Sequence, residues 1–218
     1  MKSSKRPARK STSNASWWLI VIVAGIVVVG LVAVTGLPQV AQQRAQASGA
    51  VLGPANAPIT LEEYGDFQCP ACGQFARTTL PQIEQKYVAN GTVRIVFHHF
   101  AFIGEESIRA GEAAECAGEQ NKFWEYYDTL YNNQTGENVG AFSDANLSKF
   151  ARQLNLDVTK FDACMTGDRY RAKVLAETNN GQTRGVSSTP TLFINNQKVV
   201  GAISITQFET AIGPLLNK

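Results

Sequence analysis

A chain of 218 residues has room for one membrane segment and one ordinary domain. Its formal charge of +2 hides an asymmetry: five of its 20 basic residues (Lys2, Lys5, Arg6, Arg9, Lys10) lie in the first 16 positions, leaving 15 basic against 18 acidic beyond them. No basic stripe remains there for nucleic acid, and with two methionines and two histidines in all the chain has no methionine-rich or histidine-rich copper site.

Residues 1–16 are expected to form a cytoplasmic basic arm. Trp17 to Leu37 then runs 21 residues without a charge, enough helix to cross a bilayer core of roughly 30 Å. Trp17 and Trp18 suit the interface, and the positive arm places the N-terminus in the cytoplasm and the rest of the chain outside it. Ala45-Gln46-Ala47 resembles a signal-peptidase site. It lies well beyond the apolar run, however, and that run exceeds the roughly 7–15 residues of a signal h-region. The expectation is therefore an uncleaved, single-pass signal-anchor in the cell membrane. Residues 38–53, rich in Gln, Ala and Ser, read as a tether that holds a domain spanning 54–218 off the bilayer.

Within the domain, Ile59 to Phe67 and Thr92 to Phe100 read as strands. Between them a helix from about Gly73 carries Phe75, Leu80, Ile83 and Tyr87 and stops at Asn90-Gly91. That unit implies a parallel pair of strands. A helix-rich insert of about 104–180 follows. Ala113, Cys116, Ala117, Trp124, Tyr127 and Tyr131 fall near one face across two helices; Ser143 and Asp157 are candidate caps for two more. Thr191 to Val200 reads as a hairpin around Asn195-Asn196, and Ser204 or Thr206 opens a last helix through Phe208 and Ile212. The order βαβ, helices, ββα predicts an α/β, thioredoxin-like fold interrupted by a helical subdomain.

Four cysteines lie beyond the apolar run, where an oxidising compartment permits all of them to pair. Cys69-Pro70-Ala71-Cys72 stands at a strand-to-helix junction. There the first thiol meets unpaired N–H groups and the positive end of the helix dipole, which favour its thiolate, and Pro70 suits the first helical position. A short reversible disulfide is the reading preferred over half of a four-cysteine zinc site. No second CxxC exists, and His98 and His99 point to opposite strand faces. Cys116 and Cys164 are left for each other, 48 positions apart. Their apolar helical settings predict a structural bridge rather than a second redox pair.

The phrases FQCPAC (67–72), CAGEQNKFWEYYDTLY (116–131) and GVSSTPTLFIN (185–195) resemble the DsbA family of extracytoplasmic thiol–disulfide oxidoreductases, in its membrane-anchored branch, over about Ala50 to Leu216. Phe100-Ala101-Phe102 departs from it, since relatives often have Pro in the middle; this bears on loop shape alone. The resemblance implies that Cys69 is the nucleophile and Cys72 the resolving thiol. It also implies that Pro190 is a cis-proline beside them, with Thr189 offering edge hydrogen bonds to an extended substrate that also meets Pro70 and Ala71. Glu63, six residues before Cys69, matches the family's buried acid beneath the second cysteine; strand alternation lets only one of Glu62 and Glu63 face inward. No cofactor beyond the Cys69–Cys72 disulfide and no metal is expected.

The expected function is a membrane-tethered protein-disulfide oxidoreductase that introduces disulfides into reduced, folding extracytoplasmic proteins. The resemblance implies a quinone-linked membrane reoxidase of the DsbB or vitamin-K-reductase-like type as electron acceptor. The alternatives are a disulfide reductase or isomerase, a thioredoxin-like copper- or zinc-handling protein, and a structural domain with a passive disulfide. The exposed helix-start position expected for Cys69 speaks against the last.

Overall fold

Alternating apolar residues build the central sheet of the computed structural model, which describes residues 39–216. In β3 (Val93–His99) the buried positions are Val93, Ile95, Phe97 and His99. In β2 (Ile59–Gly65) the same face carries Ile59, Leu61 and Glu63. With β1 (Val51–Leu52), β4 (Thr191–Ile194) and β5 (Gln197–Val200) the strand order is β1-β3-β2-β4-β5. β2 and β3 run parallel, and the remaining neighbours run antiparallel. Glu63 therefore occupies the middle of the sheet, registered against Phe97 on one side and Leu192 on the other.

The β2–β3 crossover is not one helix. It comprises α2 (Pro70–Thr78), α3 (Leu80–Ile83) and a π-helical turn (Glu84–Val88). Pro81 has no N–H to give the Arg77 carbonyl, which breaks the ladder. At the break the Thr79 hydroxyl turns outward from the helix to the Ile203 carbonyl at 2.8 Å. The β4–β5 hairpin turns on Asn195 and Asn196, with φ of 44° and 71°, the left-handed pair of a two-residue turn. In α9 (Ile205–Leu216) the Ser204 hydroxyl accepts from Gln207 N while Gln207 Oε1 accepts from Ser204 N, a reciprocal cap.

Five helices form the insert: α4 (Glu105–Gly118), α5 (Phe123–Asn132), α6 (Asp144–Gln153), α7 (Val158–Thr166) and α8 (Arg171–Thr183). Small residues of α4 (Ala110, Ala113, Ala114, Ala117) are fully buried and permit close approach of α5. That helix supplies the large rings Phe123, Trp124, Tyr126, Tyr127 and Tyr131. Asp157 caps α7 by accepting from Lys160 N at 3.1 Å. Ser143 precedes α6 but makes no side-chain capping bond. On the opposite sheet face Tyr64, Phe100, Val186 and Phe193 make a smaller core.

The folded domain begins earlier than composition indicates. Gln39–Ala45 is a helix, α1, within the stretch read as a spacer. Arg44 explains why it is held: its guanidinium pairs with buried Glu84 at 2.8 Å and with Asp128. Gln43 Nε2 also donates to Val88 O at 2.6 Å, and Phe97 N donates to Ala50 O. A polar segment can thus dock through ion pairs and backbone bonds that no apolar periodicity announces. The basic arm and the apolar run 17–37 lie outside the described residues. Among the described residues no helix is long and apolar enough to cross a membrane.

A disulfide joins Cys116 of α4 to Cys164 of α7, with Cα atoms 5.9 Å apart. Both cysteines are buried. Closing a loop of 48 positions restricts the unfolded chain by about 4 kcal/mol. A Cys116→Ala, Cys164→Ala variant is expected to melt at lower temperature while its thiol-exchange rate per folded molecule persists. An unchanged melting temperature with lost exchange would assign the pair a redox role instead.

Candidate active site

Strand β2 ends at Gly65, and after three intervening residues the chain enters α2 with Cys69 at its N-cap and Pro70 in the first turn. Cys69 and Cys72 are not joined to each other in this structure. Cys69, expected to be exposed, is instead buried with 8% exposure, and Cys72 has none, so the access left to an incoming sulfur is to the first. The Cys72 thiol donates to the Cys69 sulfur and, with help from the N–H groups of Ala71 and Cys72, lowers the Cys69 thiol to about 6 against the opposing effect of burial. Burial pushes the Cys72 thiol well above its ordinary value, and the neighbouring Cys69 and Glu63 add to that rise. The two sulfurs share one motif and opposite acidities.

Glu63 is the inward member of its pair, with 0% exposure. Burial raises its carboxyl to about 8, a hydrogen bond from the Tyr127 hydroxyl opposes this, and the Cys69 charge adds to it. Tyr127 donates at 3.0 Å to Oε2. Oε1 has no hydrogen-bond partner among the described residues. Glu62 faces the other way, where the His98 ring and the Arg184 guanidinium hold it down to about 2.

The Thr189–Pro190 bond is cis. The Thr189 carbonyl accepts from the Cys69 thiol at 3.4 Å. Thr189 is half-buried and Pro190 buried, while Pro70 is exposed and Ala71 half-exposed. Thr189 thus meets Cys69 through its carbonyl, and Pro70 and Ala71 follow Cys69 in the chain. Neither histidine joins the site through a hydrogen bond: His98 stacks on Tyr64 with centroids 4.7 Å apart, and His99 is buried 3.0 Å from Glu115.

Three further side chains frame the site. Asp66 accepts from the N–H groups of Gln68, Phe102 and Ile103 and from the Ser107 hydroxyl, so one buried carboxylate ties the approach to Cys69 to the loop after β3. Gln134 reaches in from the insert and donates to Phe67 O at 2.8 Å and Cys69 O at 2.9 Å. Gly73 leaves the room for it, because a Cβ there would lie 2.2 Å from Gln134 Oε1. Tyr127 is the third. Asp66 sits three residues before Cys69, whereas the other two meet their partners across more than 60 positions. Among the described residues no group of three or more His, Cys, Asp or Glu side chains is placed to hold a metal ion.

A helix-start dithiol of split acidity over a buried carboxyl, on a mixed sheet with a parallel βαβ unit, is an arrangement that can exchange thiols and disulfides on a thioredoxin-type scaffold. The sequence matches the Thioredoxin family over residues 46–213. It is 30% identical over 148 residues to the probable disulfide bond formation protein D of Bacillus cereus, covering 66% of this chain and 68% of that one. The oxidised crystal structure of BdbD from Bacillus subtilis superposes with a TM-score of 0.73 at 22% identity, over 78% of this chain and 94% of BdbD. The chain is also 32% identical over 164 residues to Na(+)/H(+) antiporter NhaA 1 of Salinispora arenicola, covering 74% of this chain and 24% of the antiporter; it spans about a quarter of that relative's length. The chain belongs to the thioredoxin family.

Carboxymethylation of the reduced protein is expected to rise with pH around a midpoint of about 6 and to label Cys69 alone. Because the Cys72 thiol is the largest cause of the lowering, Cys72→Ala moves the midpoint upward. Labelling of Cys72 at neutral pH, or a midpoint near 9, would contradict this assignment.

Proposed function

We propose that the chain is a membrane-tethered protein thiol–disulfide oxidoreductase that works outside the cytoplasm and introduces disulfides into folding proteins. The observation that carries the oxidising direction is the acidity split between Cys69 and Cys72. A thiolate stabilised only in the reduced protein favours the reduced form, so the disulfide is the more strongly oxidising partner. In this reading a client thiolate attacks Cys69, Cys72 leaves, and Glu63 exchanges a proton with it. Thr189, Pro190, Pro70 and Ala71 border the bound client segment.

The tether rests on the charge-free stretch 17–37 behind a basic arm. The Cys116–Cys164 bridge supports an oxidising compartment for the domain, and the match to part of an Na(+)/H(+) antiporter supports a place at a membrane. Each client disulfide leaves two electrons on the Cys69–Cys72 pair, so turnover requires an acceptor. A quinone-linked membrane reoxidase of the DsbB or vitamin-K-reductase-like type fits that need.

Two experiments test the proposal. Cys69→Ser is expected to abolish oxidation of a reduced peptide, whereas Cys72→Ser accumulates mixed disulfides with client proteins because the resolving thiol is gone. Equal trapping by both variants would overturn the roles. Protease added to intact spheroplasts is expected to digest the domain while a cytoplasmic marker survives; protection of the domain would overturn the topology.

A further inference from the structure

Tyr127 links the helical insert to the chemistry of the dithiol. Its hydroxyl belongs to α5, 64 positions from Glu63, and both side chains have 0% exposure. The ring is clamped by Tyr131, Trp124, Phe97 and Phe67, with centroids 4.7, 5.2, 5.3 and 5.8 Å away. With the ring fixed, the hydroxyl is held on Glu63 Oε2, and Oε1 is left without a protein partner among the described residues.

The groups facing Glu63 come from every element packed on it. Cys69 and Cys72 approach from the start of α2, and Tyr127 and Tyr131 from α5. Its sheet neighbours Phe97 and Leu192 are uncharged. Among the described residues no basic side chain hydrogen-bonds Glu63, so a neutral hydroxyl is what its carboxylate receives.

We propose that Tyr127 is a positioning residue for the exchange step: by occupying Oε2 it directs the Cys72 proton to Oε1 and sets the pH range in which Glu63 accepts it. The inference rests on Glu63 serving Cys72 as proposed above. When a client thiolate attacks Cys69 Sγ, the Cys69–Cys72 bond breaks. Its electron pair leaves on Cys72 Sγ, which takes the Glu63 proton. A second client thiolate then attacks the client sulfur joined to Cys69, forming the client disulfide and releasing Cys69 as a thiolate. Reoxidation begins when the Cys69 thiolate attacks a disulfide of the proposed reoxidase and displaces one of its thiolates. Cys72 then gives its proton to Glu63 and attacks Cys69 Sγ, reforming the Cys69–Cys72 bond. The second reoxidase thiolate is released, so that the two electrons leave on the reoxidase dithiol. The proton transfer from Cys72 needs Glu63 as a carboxylate, the form that the Tyr127 hydroxyl stabilises.

The test is the intramolecular step in which Cys72 displaces glutathione from a Cys69–glutathione mixed disulfide, followed against pH in the full chain. Tyr127→Phe keeps the ring and removes the hydroxyl. It is expected to shift the rising limb of the profile upward by about one pH unit, slowing the step about tenfold at pH 7. The Glu63 carboxyl stretch in difference infrared spectra is expected to titrate at correspondingly higher pH. In a Glu63→Gln background, which lacks the limb, Tyr127→Phe is expected to change nothing further. An unshifted limb and stretch in Tyr127→Phe, with the limb abolished by Glu63→Gln, would overturn the role of Tyr127 and leave that of Glu63 standing. A limb that survives Glu63→Gln would overturn both. Equal slowing by Tyr127→Phe at every pH would reduce Tyr127 to a packing residue.

Discussion

Three acids crowd a nearly dry space at the head of α2, and they cannot all be ionised together. Cys72 and Glu63 are fully buried and Cys69 nearly so, so each charge placed on one raises the cost of charging the next. The helix start decides which acid ionises first: N–H groups and the Cys72 thiol point at Cys69 and favour its thiolate. Cys72 and Glu63 then keep their protons to higher pH. The remaining structure serves to maintain this order. The strand register of β2 puts Glu63 at mid-sheet, and Thr189 adds to the lowering of the Cys69 thiol.

The helical insert does more than cover the sheet. Its α5 rings exclude water above Glu63, Tyr127 supplies that carboxylate with a donor, and Gln134 binds the carbonyls on either side of Gln68. Asp66 fastens the same approach to the loop after β3 and to α4. The Cys116–Cys164 bridge ties α4 to α7, and the small-residue face of α4 packs the insert closely. A division into scaffold and cap therefore describes topology, while the electrostatics belong to both.

What the sequence made legible is local. Alternation predicted β2 and β3 to within two residues at each end, Asn195-Asn196 marked the hairpin, and the choice of Glu63 over Glu62 followed from side-chain alternation with the family offset. The CxxC pair was visible because its chemistry needs both cysteines within one helical turn. Less legible were features set by distant partners. Arg44 docks α1 only because Glu84 and Asp128 lie where the fold puts them. The break at Thr79 had a local cause in Pro81, but the apolar spacing of Phe75, Leu80 and Ile83 ran through it and masked it. Gln134 and Tyr127 are ordinary helix and loop residues by composition, and meet the site only through tertiary packing.

The reduction potential of the Cys69–Cys72 pair, equilibrated against glutathione at pH 7, tests the central claim most directly. A Cys69 thiolate stabilised in the reduced protein, with Cys72 and Glu63 still protonated, predicts a potential well above roughly −270 mV and toward roughly −120 mV. A value at or below roughly −270 mV would contradict the account and make the protein a reductase.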